Sequence, residues 1–477
     1  MPNLTLLQIN DVHVYLEPHA EIVWTGAGPE TARMGGYARI ASIFKAAREE
    51  NPGGVLAMDC GDSFHGTPAL VESKGRVLVP VLNALGLSAM TGHWDFAWGP
   101  EHLRDLAGGL DFPLLAANCH DGEGRPGPFP PTESFEVAGV RVGVIGLAAT
   151  ILGEMPPQFA GGLRFTDGIE EAREHAARLR DAGCGLVVVV SHLGFPQDCA
   201  LAEAVDGLDV ILSGHTHNRV QEAAECNGTL IIQSGCHGSF VGRLDLQVEG
   251  GRVTGHRHRL IPVTNDLPED PAMVRLVSEA VADTAAMRDR VVGHTAELLH
   301  RATTLSAPMD DVLLAAIAAA AGTEIAFSNG WRYGAPIPPG PVTEHDLFCI
   351  VPMNPPVETV DMTSAEIRDL IEASLEAVFS RAPFGQRGGY LKRMRGLTID
   401  AKIENPKGLR TQAIYGLDGR PLRDGDIHKV AFISRQGVPS RYDRNRTELP
   451  VSAIEALRKW FSDNDRVAAG CGRARLV

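Results

Sequence analysis

Four short polar segments each follow directly on an apolar run, and this repetition constrains the chain more than any other feature it has. Asp11-Val12-His13 follows the run 4–9, Gly61-Asp62 follows 55–58, Ser191-His192 follows 186–190, and Gly214-His215-Thr216-His217 follows 210–212. The runs are short and rich in Leu, Val and Ile, as in parallel strands covered on both faces. In an open α/β sheet the ligand crevice lies beyond the carboxyl ends of the strands. The pattern therefore predicts an α/β fold with six metal-ligand side chains gathered at one edge of one sheet. A fifth segment, 87–93, repeats the pattern and ends on His93.

These ligand types speak to the metal. Asp and His without Cys suit Mn, Fe or Zn and argue against a closed structural zinc site of thiolates. Asp62 can bridge two ions through its two oxygens. Two ions about 3.5–4 Å apart polarise an anionic ester and generate a nucleophile near neutral pH. The expected cofactor is a pair of divalent ions, Mn²⁺ first, with Zn²⁺ or Fe as alternatives.

The order Asp11-x-His13, Gly61-Asp62, Gly92-His93, Ser191-His192, Gly214-His215-Thr216-His217 resembles the calcineurin-like metallophosphoesterases. Two downstream segments, 328–343 around Trp331-Arg332-Tyr333-Gly334 and 388–391 around Tyr390, resemble the 5'-nucleotidase group of that superfamily. The resemblance implies a four-layer α/β/β/α phosphoesterase domain over 1–262, a linker helix over 263–290, and a smaller α+β substrate-binding domain over 291–477. It implies that Asp11, His13 and His217 bind one metal, that His192 and His215 bind the other, and that Asp62 bridges. Arg332 would hold the substrate anion; beside it, the sequence's own aromatics Trp331, Tyr333, Phe384, Tyr390 and Phe432 are candidates to line a pocket.

The chain also departs from the family. The usual Gly-Asn-His-Glu-Phe-Asp signature reads Gly92-His93-Trp94-Asp95-Phe96-Ala97 here. His93 then stands in the Asn place as a seventh ligand, and the catalytic His–Asp pair has become Trp94 and Ala97. Such a Gly-His-Trp sequence resembles the thiosulfohydrolase branch of the superfamily. Losing an imidazole of that kind costs about 10²–10⁴-fold where the leaving group needs a proton, and little where it departs as a stable anion. Asp62, His93 and Asp95 are the expected catalytic residues; His65, His19 and His237 are further candidates for the missing role. Near the C-terminus, Phe432-Ile433-Ser434-Arg435-Gln436-Gly437 replaces the glycine-rich segment that carries a second base-stacking aromatic in nucleotidases.

The sequence thus points to a metal-dependent phosphoester hydrolase. Sulfo-ester or thiosulfonate hydrolysis is the alternative chemistry, and a metal- and anion-binding protein without turnover is the alternative of another class.

Composition narrows the partners. At 477 residues the chain exceeds one ordinary core. A formal net charge of −15 speaks against a nucleic-acid polymer or an anionic membrane surface. A small anionic substrate is the expected partner, and a homo-oligomer is left open. Strand one begins within a few residues of Met1, so no secretory leader is expected, and no apolar run reaches membrane-spanning length. Eight cysteines, at 60, 119, 184, 199, 226, 236, 349 and 471, read as reduced thiols of a cytoplasmic protein. The thiosulfohydrolase branch works outside the cytoplasm, which sets that alternative against this reading.

Among local elements, helices are expected over 39–45, 172–179, the Ala-rich stretch 309–321 ended by Gly322, and from the capping box Thr363-Ser364-Ala365-Glu366 onward. Segments 228–233 and 242–248 read as antiparallel strands, with a hairpin turn at 249–251.

Overall fold

A computed structural model describes residues 3–466 and 472–477. Two compact units emerge: the first holds Met1–His19 and Arg33–Asp283, the second Ala20–Ala32 and Thr284–Val477. This differs from the expected division into 1–262, a linker helix over 263–290, and 291–477. Residues 20–32 cluster with the second unit, and the helix Pro271–Val281, which the sequence places in the linker, packs on Tyr37–Glu50 inside the first.

The first unit is built on two sheets. One runs in the order Arg252–Pro262, Phe240–Glu249, Leu4–Ile9, Val55–Asp59, Ala89–Met90; the other runs Ala224–Cys226, Thr229–Ile232, Val210–Ser213, Leu186–Ser191, Val140–Leu147, Thr132–Val137. The expectation of one sheet is therefore corrected. The ligand-bearing strands divide between two sheets, because an apolar run buried on both faces carries no mark of which sheet it joins.

The sheets share a core. Leu4, Leu6, Leu56 and Met58 of the first meet Val188, Val190, Val210 and Leu212 of the second. The alternate residues Leu7 and Ile9 are equally buried, as expected of a strand whose other face is also covered. The helix Tyr37–Glu50 packs on that sheet, and Ile169–Asp181 and Phe195–Ala204 pack on the other, which completes the four layers.

Register decides where the site falls. Leu4–Ile9 runs parallel to Val55–Asp59, and Leu186–Ser191 runs parallel to Val210–Ser213, so each sheet delivers its following loops at one end. The expected hairpin forms between Phe240–Glu249 and Arg252–Pro262. Thr229–Ile232, expected to be antiparallel, pairs antiparallel with Ala224–Cys226 but parallel with Val210–Ser213.

In the second unit a five-stranded sheet runs Tyr390–Arg395, Ile325–Gly330, Ile427–Ile433, Pro356–Thr363, Thr447–Ser452. The helix Pro308–Ala321 ends on Gly322 in the left-handed conformation, and Ser364–Phe379 starts at a complete capping box on Thr363 and Glu366. Seven of the cysteines are free thiols, five of them buried, and Cys471 lies outside the described residues. Among the described residues no helix is long and apolar enough to cross a membrane.

Candidate metal centre

The loops after the strands turn sharply, and the backbone shows how. Asp11 (φ 50°), His13 (49°), Asp62 (58°), His215 (72°) and His217 (56°) all sit in the left-handed region. Non-glycine residues reach it at a cost, and clusters of such residues mark functional loops. The cost is met by main-chain hydrogen bonds between loops: Asp11 N–H donates to Gly61 O and His13 N–H to Asp62 O, both at 2.9 Å. Gly66 lets the loops close, since a Cβ there would lie 1.8 Å from the carbonyl oxygen of His13.

The turns bring seven expected residues together in two groups that share Asp62. One is Asp11, His13, Asp62 and His217; the other is Asp62, His93, His192 and His215, with the donor atoms of each group within 4.8 Å of one another. His217 Nε2 lies 3.1 Å from Asp11 Oδ1, His13 Nε2 lies 3.7 Å from Asp62 Oδ2, and His192 Nε2 lies 3.4 Å from the same oxygen. His93 Nδ1 lies 3.2 Å from Asp62 Oδ1.

The donor set fits a pair of divalent ions. Nε2 of His192 and Nε2 of His93 are buried with no hydrogen-bond partner, a costly state for a polar atom unless an ion takes the lone pair. His192 Nδ1 faces Cys60 O at 2.5 Å, which leaves Nε2 for the centre. Imidazole and carboxylate without thiolate suit Mn, Fe or Zn.

Electrostatics separates the imidazoles. Burial pulls His192 down, but Asp62 and Asp11 outweigh it and push the group up to about 10. Burial also opposes His217, which Cys236 and Asp11 raise to about 9. Burial holds His13 and His215 well below the ordinary value and takes His65 down to about 3. Burial works to raise the Asp62 carboxyl, yet His93 and His192 hold it well below the usual carboxylate range.

Asp95 requires a correction. Expected as a catalytic carboxyl, it accepts four main-chain N–H donors instead: Asp62 and His93 at Oδ2, both 2.9 Å, and Ser63 and Phe64 at Oδ1, 3.0 and 2.7 Å. An oxygen occupied by N–H donors has no place for a proton to give to a leaving group. Asp95 shapes the loops that carry Asp62 and His93. Trp94 donates its main-chain N–H to Asp62 Oδ1 at 2.7 Å, and its indole lies tilted against His65 with centroids 4.3 Å apart.

Several supporting residues escaped sequence reasoning. Asn10 Nδ2 donates to Asp11 Oδ2 at 2.8 Å and to Gly235 O at 2.7 Å. Gln233 Nε2 donates to Gly214 O at 2.6 Å. Ser63 Oγ donates to Asp59 at 2.5 Å, and Ser191 Oγ to Asp198 at 2.6 Å. Burial pushes Asp59 up to about 8 and Asp198 up to about 7. A signal existed, because Asn10, Asp59 and Gln233 each end an apolar run with a polar side chain.

The expected substrate residues lie in the second unit, and one of them needs correction. Phe432 is fully buried in that unit's core, so its ring has no surface to offer a ligand. Trp331 is 6% exposed, stacks on Tyr333, and donates its indole N–H to Gln436 Oε1 at 2.8 Å. The Arg332 guanidinium lies 4.6 Å from the Tyr390 ring centroid, with Arg393 at 5.3 Å. The loop is anchored from behind, where buried Asp310 accepts from Arg301 at 2.7 Å and from Arg393 at 2.8 Å.

The chain is similar to known proteins along most of its length. The family "5'-nucleotidase, C-terminal domain" matches residues 291–434. The trifunctional nucleotide phosphoesterase YfkN of Bacillus subtilis is 24% identical over 86% of this chain, which spans only 30% of that protein's length. A 5'-nucleotidase precursor from Thermus thermophilus superposes with a TM-score of 0.87 at 25% identity, covering 99% of both chains. The sulfate thiohydrolase SoxB of Thermus thermophilus superposes with a TM-score of 0.90 at 23% identity over 100% of this chain and 97% of its own, a likeness of fold. The two-sheet unit with its metal-ligand loops is thus followed by a 5'-nucleotidase C-terminal domain over residues 291–434, and the whole chain is similar in sequence and fold to 5'-nucleotidases.

Proposed function

We propose that this protein hydrolyses phosphate esters at a dinuclear centre, with Asp11, His13, Asp62 and His217 holding one divalent ion and Asp62, His93, His192 and His215 the other. The observation that carries the reading is the pair of four-residue groups sharing one carboxylate. Two divalent ions, when bound, activate water and polarise the ester oxygen. The chain's own residues do the rest. Asp62 spans the two half-sites, and the Trp94 main-chain N–H fixes one of its oxygens. His93 contributes from the Asn position of the family pattern, and residues 291–477 act as the substrate-binding domain, with Arg332 as the cation for the anionic group. Mn²⁺ is the proposed metal, since carboxylate donors suit it and no thiolate is present in the donor set. The free thiols support a reducing, cytoplasmic setting.

A second reading has its own support. Trp94 carries no titratable proton and is packed between His65 and Phe159, so this position supplies no acid. Esters whose leaving group departs as a stable anion, including sulfo-esters and thiosulfonates, fit that arrangement. Elemental analysis after Mn²⁺ loading, together with rates on aryl phosphates, nucleotides and S-sulfonates, tests both readings. Close to two ions per chain and measurable ester hydrolysis are expected, and His215→Ala should leave one ion. A protein that takes up no ion, or loads fully without turning over any ester, contradicts the proposal.

A further inference from the structure

We infer that His65 is a positioning residue of the metal centre: it accepts the Nδ1–H of His13 and so fixes the tautomer in which His13 turns its Nε2 lone pair toward the cluster. The inference rests on the dinuclear reading above. His13 Nε2 faces inward, 3.4 Å from His217 Nε2 and 3.7 Å from Asp62 Oδ2. A neutral imidazole has one lone-pair nitrogen and one N–H nitrogen. If Nε2 coordinates, Nδ1 carries the hydrogen and must face an acceptor. The group at that position is Nδ1 of His65, 3.4 Å away. His65 then holds its own hydrogen on Nε2, the buried ring nitrogen that does not face His13.

Two further observations fix His65 in that role. Its ring lies against the Trp94 indole with planes 31° apart, and Phe159 meets the indole in a T-shaped contact with centroids 5.5 Å apart. Next to it, Gly66 presses the backbone onto His13, where any side chain would collide with the His13 carbonyl oxygen. Ring plane and backbone spacing are both set from outside the metal cluster. Trp94 thus has a part beyond replacing an imidazole. It holds the partner of one ligand through its ring, and through its main-chain N–H it holds the bridging carboxylate.

Partners of this kind are worth about 10–100-fold in metal affinity. The test is Mn²⁺ titration of the full chain, following free Mn²⁺ by electron paramagnetic resonance, in the natural protein and in His65→Leu, His65→Ala and His65→Gln. Leu fills space and accepts nothing, whereas the Gln amide oxygen accepts the same hydrogen bond. Leu and Ala should weaken one of two binding events about 10–100-fold and leave the other unchanged, and Gln should restore the weakened event. If Leu and Ala titrate like the natural protein, if both events weaken together, or if folded His65→Gln is as weak as His65→Leu, the inference is overturned while the metal reading stands. A natural chain that binds no Mn²⁺ removes both. Should Ala fail to fold, the contrast between Leu and Gln carries the same decision.

Discussion

His93 occupies a place where the family pattern has an amide side chain, and its ring nitrogen lies 3.2 Å from Asp62, the carboxylate proposed to bridge the two ions. If it is a ligand, His93→Ala should lower metal content as well as rate, and His93→Asn should keep most of the metal. Elemental analysis of the purified variants separates these outcomes, and full loading of the Ala variant would show that His93 is no ligand. The imidazole charges give a second prediction. With His192 at about 10 and His217 at about 9, both are protonated at pH 7.5 in the metal-free protein. A coordinating imidazole must be neutral, so loading should expel about two protons, and apparent affinity should rise with pH until it passes through those values. Because both values are raised, these two groups stabilise the metal-free fold fully below pH about 6.5 and lose that contribution as pH climbs through about 9 to 10. Calorimetry in buffers of differing ionisation enthalpy reads the proton count directly, and a buffer-independent heat would contradict the assignment.

At the level of elements, the second unit's helices depend on their ends. Thr363 accepts from Glu366 N–H while the Glu366 carboxylate returns to the Thr363 N–H at 2.7 Å. Thr363→Ala should cost about 1 kcal/mol in denaturant unfolding, with no change in metal stoichiometry. That box was legible in the sequence, as was the Gly322 stop, because caps are local chemistry written in adjacent residues. The strand–loop pattern was legible for a similar reason: each proposed ligand follows its own apolar run. The assignment of strands to two sheets was not, since Leu4, Leu6, Val188 and Val190 show the same burial whichever sheet they join. Nor were the roles of Asp95 and Phe432. The first turned on which N–H groups converge from two loops, and the second on which face of Ile427–Ile433 meets the core. Both are long-range facts that no local window contains.

For the whole molecule under the proposed ester hydrolysis, the sharpest consequence concerns leaving groups. Trp94 and Asp95 are both committed to structure, so rate should fall steeply as leaving-group pKa rises. p-Nitrophenyl phosphate should outpace AMP at saturation, and the double change Trp94→His with Ala97→Asp should flatten the dependence. Equal rates on the two esters would mean that another group protonates the leaving oxygen. The left-handed backbone at Asp11, His13, Asp62, His215 and His217 limits how such a protein can evolve. Asp, Asn and His are the side chains that tolerate this conformation best, and Asp and His are also metal ligands. Glu and Cys bind metals as well, but they gain nothing from that backbone. The chain's coordination alphabet is therefore short, and new metal preferences have to arise by exchange within it or by remaking a whole turn.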